Sequence, residues 1–152
     1  MAWAVNAEGV PMEFEVPRTL DEWRSIGTEY LPGHLGIEFE AVEPTRVRAR
    51  IPIERHHLAW NGFLHAATIV ALADSCCGYG VVRSLPEGAS GFTTVEVTTN
   101  FVSSAREGDA LCTATPLHQG RTTQVWDAQV TSSHSDRVMA HFRCTQLILW
   151  PK

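Results

Sequence analysis

At 152 residues the chain has the length of a single domain, and its 44% hydrophobic and 19% charged residues are typical of a folded globular protein. The net charge of −5 provides no basic surface in bulk, so we expect no nucleic-acid partner. The opening residues M-A-W-A-V-N-A-E-G-V lack the basic and apolar segments of a secretory signal, and we expect a cytoplasmic protein.

The N-terminal half contains signals for one helix and two strands. Residues 1–18 have few structural signals and are expected to form an arm, followed by a single domain over residues 19–152. Thr19, with Glu22 three residues later, predicts a capped helix start, and Pro32-Gly33 is expected to end that segment. Two strands are then predicted at Gly36–Ala41 and Thr45–Ile53.

The longest apolar run begins at Gly62 and predicts a buried helix that ends near Arg83. Polar and small residues interrupt it, so we expect a core helix and no membrane span. Alternating patterns predict four more strands, at Phe92–Val102, Asp109–His118, Thr122–Ser133 and Arg137–Leu149. The outline is therefore a six-stranded antiparallel sheet with one buried helix. Because one helix cannot cover both faces of such a sheet, we expect a homo-oligomer.

The helical run contains one histidine, His65, and one carboxylate, Asp74. A buried carboxylate needs a partner, a raised pKa or a chemical role. The two residues are nine positions apart, which leaves them half a turn out of phase at about 100° per residue. Either His65 precedes the helix or each residue meets partners from another subunit. The helix N-terminus offers free N–H groups to an oxyanion, while Asp74 could be a base or a structural carboxylate paired with a neighbouring chain.

Metal binding is not expected from the cysteines and histidines. Small buried thiols are the expected state of the four cysteines, since none forms a C-x-x-C motif: Cys76, Cys77, Cys112 and Cys144. His56 and His57 are adjacent on a polar loop without a convergent third ligand, so both are expected to be surface histidines.

Two motifs resemble those of a known family. They are G-x-L-H-[GA]-[GA]-x-x-x-x-L-A-D-[ST] and N-F-x-x-x-A-x-x-G, and together they are similar to the hotdog-fold acyl-CoA thioesterases of the phenylacetate (PaaI-like) group. The matching residues are Gly62, Leu64, His65, Ala66, Ala67, Leu72, Ala73, Asp74 and Ser75, then Asn100, Phe101, Ala105 and Gly108. The resemblance covers roughly residues 34–149. It implies an α+β hotdog fold, in which a six-stranded antiparallel sheet wraps around one long central helix, here with a short N-terminal helix.

The resemblance also implies a mechanism without a metal or a bound prosthetic group. The backbone N–H of Ala66 would hold the thioester oxygen, and Asp74 of the other subunit would act as general base or nucleophile. Thr94 would help to position the water or the acid. His65 would orient the loop through the backbone or take a secondary part in the site. A homodimer would be the minimal active unit, assembled further into a homotetramer.

One position departs from the family pattern. Many relatives have Asn or Gln six residues before the histidine, to place the attacking water, and that position here is Ala59. Asn61 could substitute if the loop is offset. The phosphates of the coenzyme A moiety could be held by the turn residues Arg106, His118 and Arg121, or these could be solvated surface side chains.

The sequence thus predicts a thioesterase that hydrolyses an acyl-CoA, with two alternatives. A non-catalytic acyl-CoA-binding hotdog protein would keep the pocket without needing Asp74, and Ala59 leaves room for this alternative. A hotdog dehydratase or hydratase would need a histidine and an acid that converge on one substrate bond. The half-turn offset between His65 and Asp74 disfavours that chemistry within one chain.

Overall fold

The computed structural model describes residues 2–5, 11–13 and 15–151. Within the N-terminal arm, the backbone forms two short antiparallel strands, β1 at Ala2–Val5 and β2 at Pro11–Glu13. These strands form a two-stranded sheet of their own, separate from the main sheet. The arm therefore contains a hairpin, for which its sequence offered no clear signal.

The first helix, α1 at Leu20–Ser25, begins at the predicted cap. The Thr19 hydroxyl accepts from the Glu22 N–H at 3.3 Å, and the Glu22 carboxylate accepts from the Thr19 N–H at 3.1 Å. The predicted end at Pro32-Gly33 is wrong, because both residues lie inside a second short helix, α2 at Leu31–His34. Proline is tolerated in a first helical turn, where its missing N–H has no intrahelical partner.

The main sheet has six antiparallel strands in the order β3-β4-β6-β7-β8-β5. Their bounds are Glu38–Glu43 for β3, Arg46–Pro52 for β4, Gly91–Phe101 for β5, Asp109–Gln119 for β6, Thr123–Ser132 for β7 and Val138–Leu149 for β8. The long helix, α3 at Ala66–Arg83, packs on one face of this sheet. The predicted hotdog architecture is confirmed.

The core lies between α3 and the inner face of the sheet. Along β4, Val47, Ala49 and Ile51 are buried and alternate with arginines, as the period of a half-covered strand requires. Trp126 of β7 is fully buried beneath the helix, where Gly80 of α3 gives its ring room. All four cysteines are buried, as predicted, and burial raises the pKa of the Cys76 thiol well above its usual range.

The outer face of the sheet is largely polar. Arg50 forms ion pairs with Glu38 at 2.6 Å and Asp109 at 3.0 Å, and Arg143 of β8 pairs with Asp127 of β7. This face can meet water, so it needs no partner to cover it. The predicted oligomer therefore does not follow from this face. Apolar side chains that another chain could cover lie instead on the edge strand β5.

Strand β5 forms one edge of the sheet, and it exposes apolar side chains there. Val95, Val97 and Phe101 are 57%, 43% and 47% exposed. An unpaired strand with exposed apolar residues is a ready template for pairing with another chain.

No helix within the described residues is long and apolar enough to cross a bilayer.

Two glycines of α3 provide a matched test of the packing. A Cβ at Gly80 would lie 2.4 Å from the Trp126 ring, whereas a Cβ at Gly78 would lie an ordinary 3.5 Å from Phe92. We expect Gly80→Ala to lower the free energy of unfolding by roughly 1–3 kcal/mol through overpacking. Gly78→Ala should leave it unchanged or raise it by up to about 1 kcal/mol through helix propensity. Urea unfolding of both variants measures the difference, and equal effects would contradict this account of the core.

Candidate active site

The N-terminus of α3 begins directly after His65. His65 is the N-cap, with extended backbone angles, and its Nδ1 accepts a hydrogen bond from the Ala67 N–H at 3.0 Å. Of the two alternatives left by the half-turn offset, the structure supports the one in which the histidine precedes the helix. The ring is therefore tied to the backbone through Nδ1, which accepts from the Ala67 N–H.

The backbone N–H of Ala66 is a free donor at this helix end. The neighbouring N–H groups are used, since Ala67 donates to the His65 ring and Thr68 donates to the His65 carbonyl at 3.0 Å. Ala66 is exposed, and its N–H has no hydrogen-bond partner among the described residues. A free N–H at the positive end of a helix can hold a carbonyl oxygen that gains negative charge.

A buried histidine, His57, holds this helix start in place. His57 was expected on the surface but is only 2% exposed. Its carbonyl accepts from the His65 N–H at 2.9 Å and from the Thr68 hydroxyl at 3.2 Å. Its Nδ1 accepts from the Glu54 N–H at 3.0 Å. Burial, with a smaller effect from His56, lowers the pKa of His57, so a neutral ring is favoured.

The local backbone explains why His57 is buried while His56 is exposed. A short 3-10 turn at Arg55–His57 rotates the second histidine of the pair inward while the first stays exposed. The signal that could have found it is the acidic residue Glu54 three positions earlier, because such a residue can cap a turn. His56 is on the surface, as predicted. No cluster of three or more potential metal ligands occurs in the described part of the chain.

Asp74 lies two turns into α3, half-buried and without a partner for one oxygen. Its Oδ1 is buried and accepts no hydrogen bond from any described residue. Burial raises the pKa of this carboxyl above its ordinary value. Eight residues separate it from Ala66, which is about 12 Å along the helix axis. One thioester cannot meet both groups of a single chain at that separation.

The remaining residues predicted for water placement lie on two elements. Thr94 is an exposed residue of β5, cross-strand from the buried Gln146 of β8, so it faces the helix side of the sheet. Asn61 lies in the loop before α3, where its side-chain oxygen accepts from the Phe63 N–H at 3.2 Å. That bond leaves the amide nitrogen of Asn61 and the second lone pair of its oxygen available. Ala59 is partly buried.

The three candidate phosphate ligands lie at opposite ends of strand β6. Arg106 precedes the strand and lies over the Phe63 ring, 4.1 Å from its centroid. His118 and Arg121 are at the other end, where Arg121 lies 4.3 Å from the centroid of the Trp150 ring. The strand has eleven residues and is about 34 Å long. Within one chain these three residues therefore do not converge on one phosphate group.

Comparison with known proteins identifies the family of the chain. Residues 61–145 match the model of the thioesterase superfamily, and the chain belongs to that family. It is 31% identical over 131 residues to a 1,4-dihydroxy-2-naphthoyl-CoA hydrolase of Escherichia coli, covering 86% of this chain and 95% of the relative. A hydrolase of the same name from Listeria monocytogenes is 29% identical, over 73% and 89% of the two chains. A thioesterase structure from Haemophilus influenzae superposes with a TM-score of 0.81 at 25% identity, covering 88% and 92%.

The unpaired carboxyl of Asp74 should lower the free energy of unfolding at neutral pH. Because burial raises the pKa of Asp74, the folded state binds this proton more tightly than the unfolded chain. Stability is then greatest in acid and falls as pH rises from the ordinary carboxyl pKa to the raised one. We expect Asp74→Asn to be more stable than wild type at neutral pH, with the difference shrinking in acid.

Urea unfolding at matched protein concentration measures this effect. The exposed Glu87→Gln variant is the control, and its stability should follow wild type at both pH values. A less stable Asp74→Asn protein at neutral pH would show that the carboxylate has a stabilising partner.

Proposed function

We propose that this protein is an acyl-CoA thioesterase that hydrolyses an acyl-CoA thioester to a free acid and coenzyme A. The observation that carries the proposal is the combination, on one helix, of the free Ala66 N–H and the buried, unpaired Asp74. The two relatives named as CoA hydrolases support the same substrate class. The cytoplasm remains the expected compartment.

In the proposed reaction, the thioester carbonyl oxygen accepts from the Ala66 N–H, and the helix dipole stabilises the oxyanion of the tetrahedral intermediate. The methyl group of Ala66 narrows the approach to the carbonyl without removing the backbone donor. Asp74 either takes a proton from the attacking water or attacks the carbonyl itself, giving a mixed anhydride that water then hydrolyses. The coenzyme A thiolate leaves and takes up a proton. A raised pKa suits a base, because it strengthens the affinity of the carboxylate for that proton.

The proposed site uses two copies of the chain. The separation of about 12 Å along α3 supports a site in which the Ala66 N–H of one copy works with Asp74 of the other. The exposed apolar edge of β5 supports a two-fold pairing in which the two sheets continue into each other. Thr94 lies on that same edge strand, where it can position the water or the acid. The predicted homotetramer needs a further interface beyond this edge.

Recognition of the coenzyme A phosphates then also draws on both copies. Arg106 lies at the end of β6 near the start of α3, since the Leu64 N–H donates to the Ala105 carbonyl at 2.8 Å. His118 and Arg121 lie at the far end, so they can contribute only from the other copy. Guanidinium groups from the two copies suit the pyrophosphate and the 3′-phosphate at the nucleotide end of coenzyme A.

An acyl-CoA-binding protein without activity is the second candidate, and Ala59 favours it. This alanine replaces the polar residue that would place the water, and the Asn61 oxygen is already used within its own loop. Release of free thiol from a panel of short, medium, long and aromatic acyl-CoA substrates distinguishes the two candidates. Binding without hydrolysis of any of them would replace the thioesterase by the binding protein.

Loss of the acid should abolish turnover while the fold survives. We expect Asp74→Asn and Asp74→Ala to lower kcat for thioester hydrolysis by at least roughly a hundredfold, the scale for losing a general base. Thiol release measures kcat, circular dichroism checks the fold, and Glu87→Gln is the control with unchanged turnover. Near wild-type hydrolysis by either Asp74 variant would contradict the mechanism.

The edge strand should control assembly and activity together. Val97→Lys places a charge on the exposed edge of β5, and in a two-fold pairing the two charges repel. We expect this variant to shift toward monomer and to lose hydrolysis, whereas Gln129→Lys on the exposed outer face should change neither. Light scattering coupled to gel filtration gives the mass of each, including the wild-type dimer or tetramer. An active monomer would contradict a site shared between copies.

A further inference from the structure

Trp60 is the most exposed large side chain near the proposed site. It is 100% exposed, whereas Trp23 and Trp126 are buried at 2% and 0%. It lies six residues before Ala66, so at most about 20 Å of chain separates it from the oxyanion donor. Tryptophan has a large planar apolar surface, and full exposure of that surface next to an active site favours a role in ligand contact.

The loop that presents Trp60 is held by backbone hydrogen bonds. The Ala59 N–H donates to the Phe63 carbonyl at 2.8 Å, and the Gly62 N–H donates to the Ala59 carbonyl at 2.8 Å. Gly62 has a φ of 80°, a left-handed conformation that suits glycine. A preformed turn loses little conformational entropy when it binds a ligand, which favours affinity.

A cation without an acidic partner lies beside this turn. The Arg106 guanidinium is over the Phe63 ring, and it forms no ion pair or hydrogen bond with any described residue. Phe63 itself is 39% exposed. Stacking on the ring orients the guanidinium and leaves its N–H groups free for an anion such as a phosphate.

We propose that Trp60, Phe63 and Arg106 form the binding surface for the nucleotide end of coenzyme A. The adenine ring stacks on Trp60, and Arg106 donates to a phosphate group, while the pantetheine arm reaches back to Ala66. An aromatic plane beside an unpaired arginine matches a planar base that carries phosphates. This inference rests on the proposed function, since coenzyme A is the substrate moiety concerned.

The test compares coenzyme A with pantetheine, which lacks the nucleotide, as calorimetric probes of the intact protein. We expect Trp60→Ala to weaken coenzyme A binding roughly tenfold or more, the scale of one base stacked on an aromatic ring, and to leave pantetheine binding unchanged. Trp60→Phe should retain most of the affinity, because it keeps an aromatic plane. Tyr30→Ala, an exposed aromatic residue directly before α2, is the control and should alter neither probe.

Each other result overturns the inference in a distinguishable way. Unchanged coenzyme A binding by Trp60→Ala removes the nucleotide contact and leaves the proposed function intact. Equal loss for both probes places Trp60 on the pantetheine arm, and a loss of the dimer places it in the subunit interface. If wild type binds no coenzyme A, this inference fails, whereas the proposed function is decided separately by thiol release from the acyl-CoA panel.

Discussion

The packing of α3 on Trp126 is the constraint on which the rest of the structure depends. Gly80 lets the helix approach the ring so closely that even a methyl group would overlap it. The indole N–H donates to the Gln124 side chain at 2.8 Å, and that amide in turn donates to the Ser84 carbonyl at the helix C-terminus. These contacts fix the C-terminal part of the helix on β7. Because the helix is rigid, these contacts also fix the positions of its N-terminus and of Asp74.

The N-terminal end of α3 is held by the loop that precedes it. At this helix, features that favour the proposed function lower the stability of the fold. The His57 carbonyl accepts from His65 and Thr68, which spares the first turn from fraying. The same turn leaves the Ala66 N–H without a partner, and Asp74 further along has an unpaired buried oxygen. The buried, unpaired oxygen of Asp74 destabilises the fold, whereas the exposed Ala66 N–H can meet water. They are instead suited to a ligand with a carbonyl oxygen and a water molecule to be deprotonated, which is the basis of the proposed hydrolysis.

The inner face, the outer face and the edge strand of the sheet have different roles. The inner face buries the helix, and the outer face covers itself with cross-strand ion pairs such as Arg143 with Asp127. The expectation of an oligomer therefore rests on β5 and on the geometry of the site, since the outer face needs no partner for burial. The proposed recognition of coenzyme A involves two copies of the chain, because Arg106 and Arg121 lie at opposite ends of one strand.

The sequence by itself determined the capped start of α1, the order of the six strands of the main sheet and the helix that contains Asp74. These features depend on local patterns, namely the periods of helices and strands and the side chains that cap helix ends. Only the tertiary structure decided that Pro32 lies inside a second helix, that His57 is buried, that the three phosphate-ligand candidates do not converge and that Trp60 is exposed. Each of these depends on contacts between residues distant in the chain or on the path of a loop, and no periodic pattern in the sequence records such contacts.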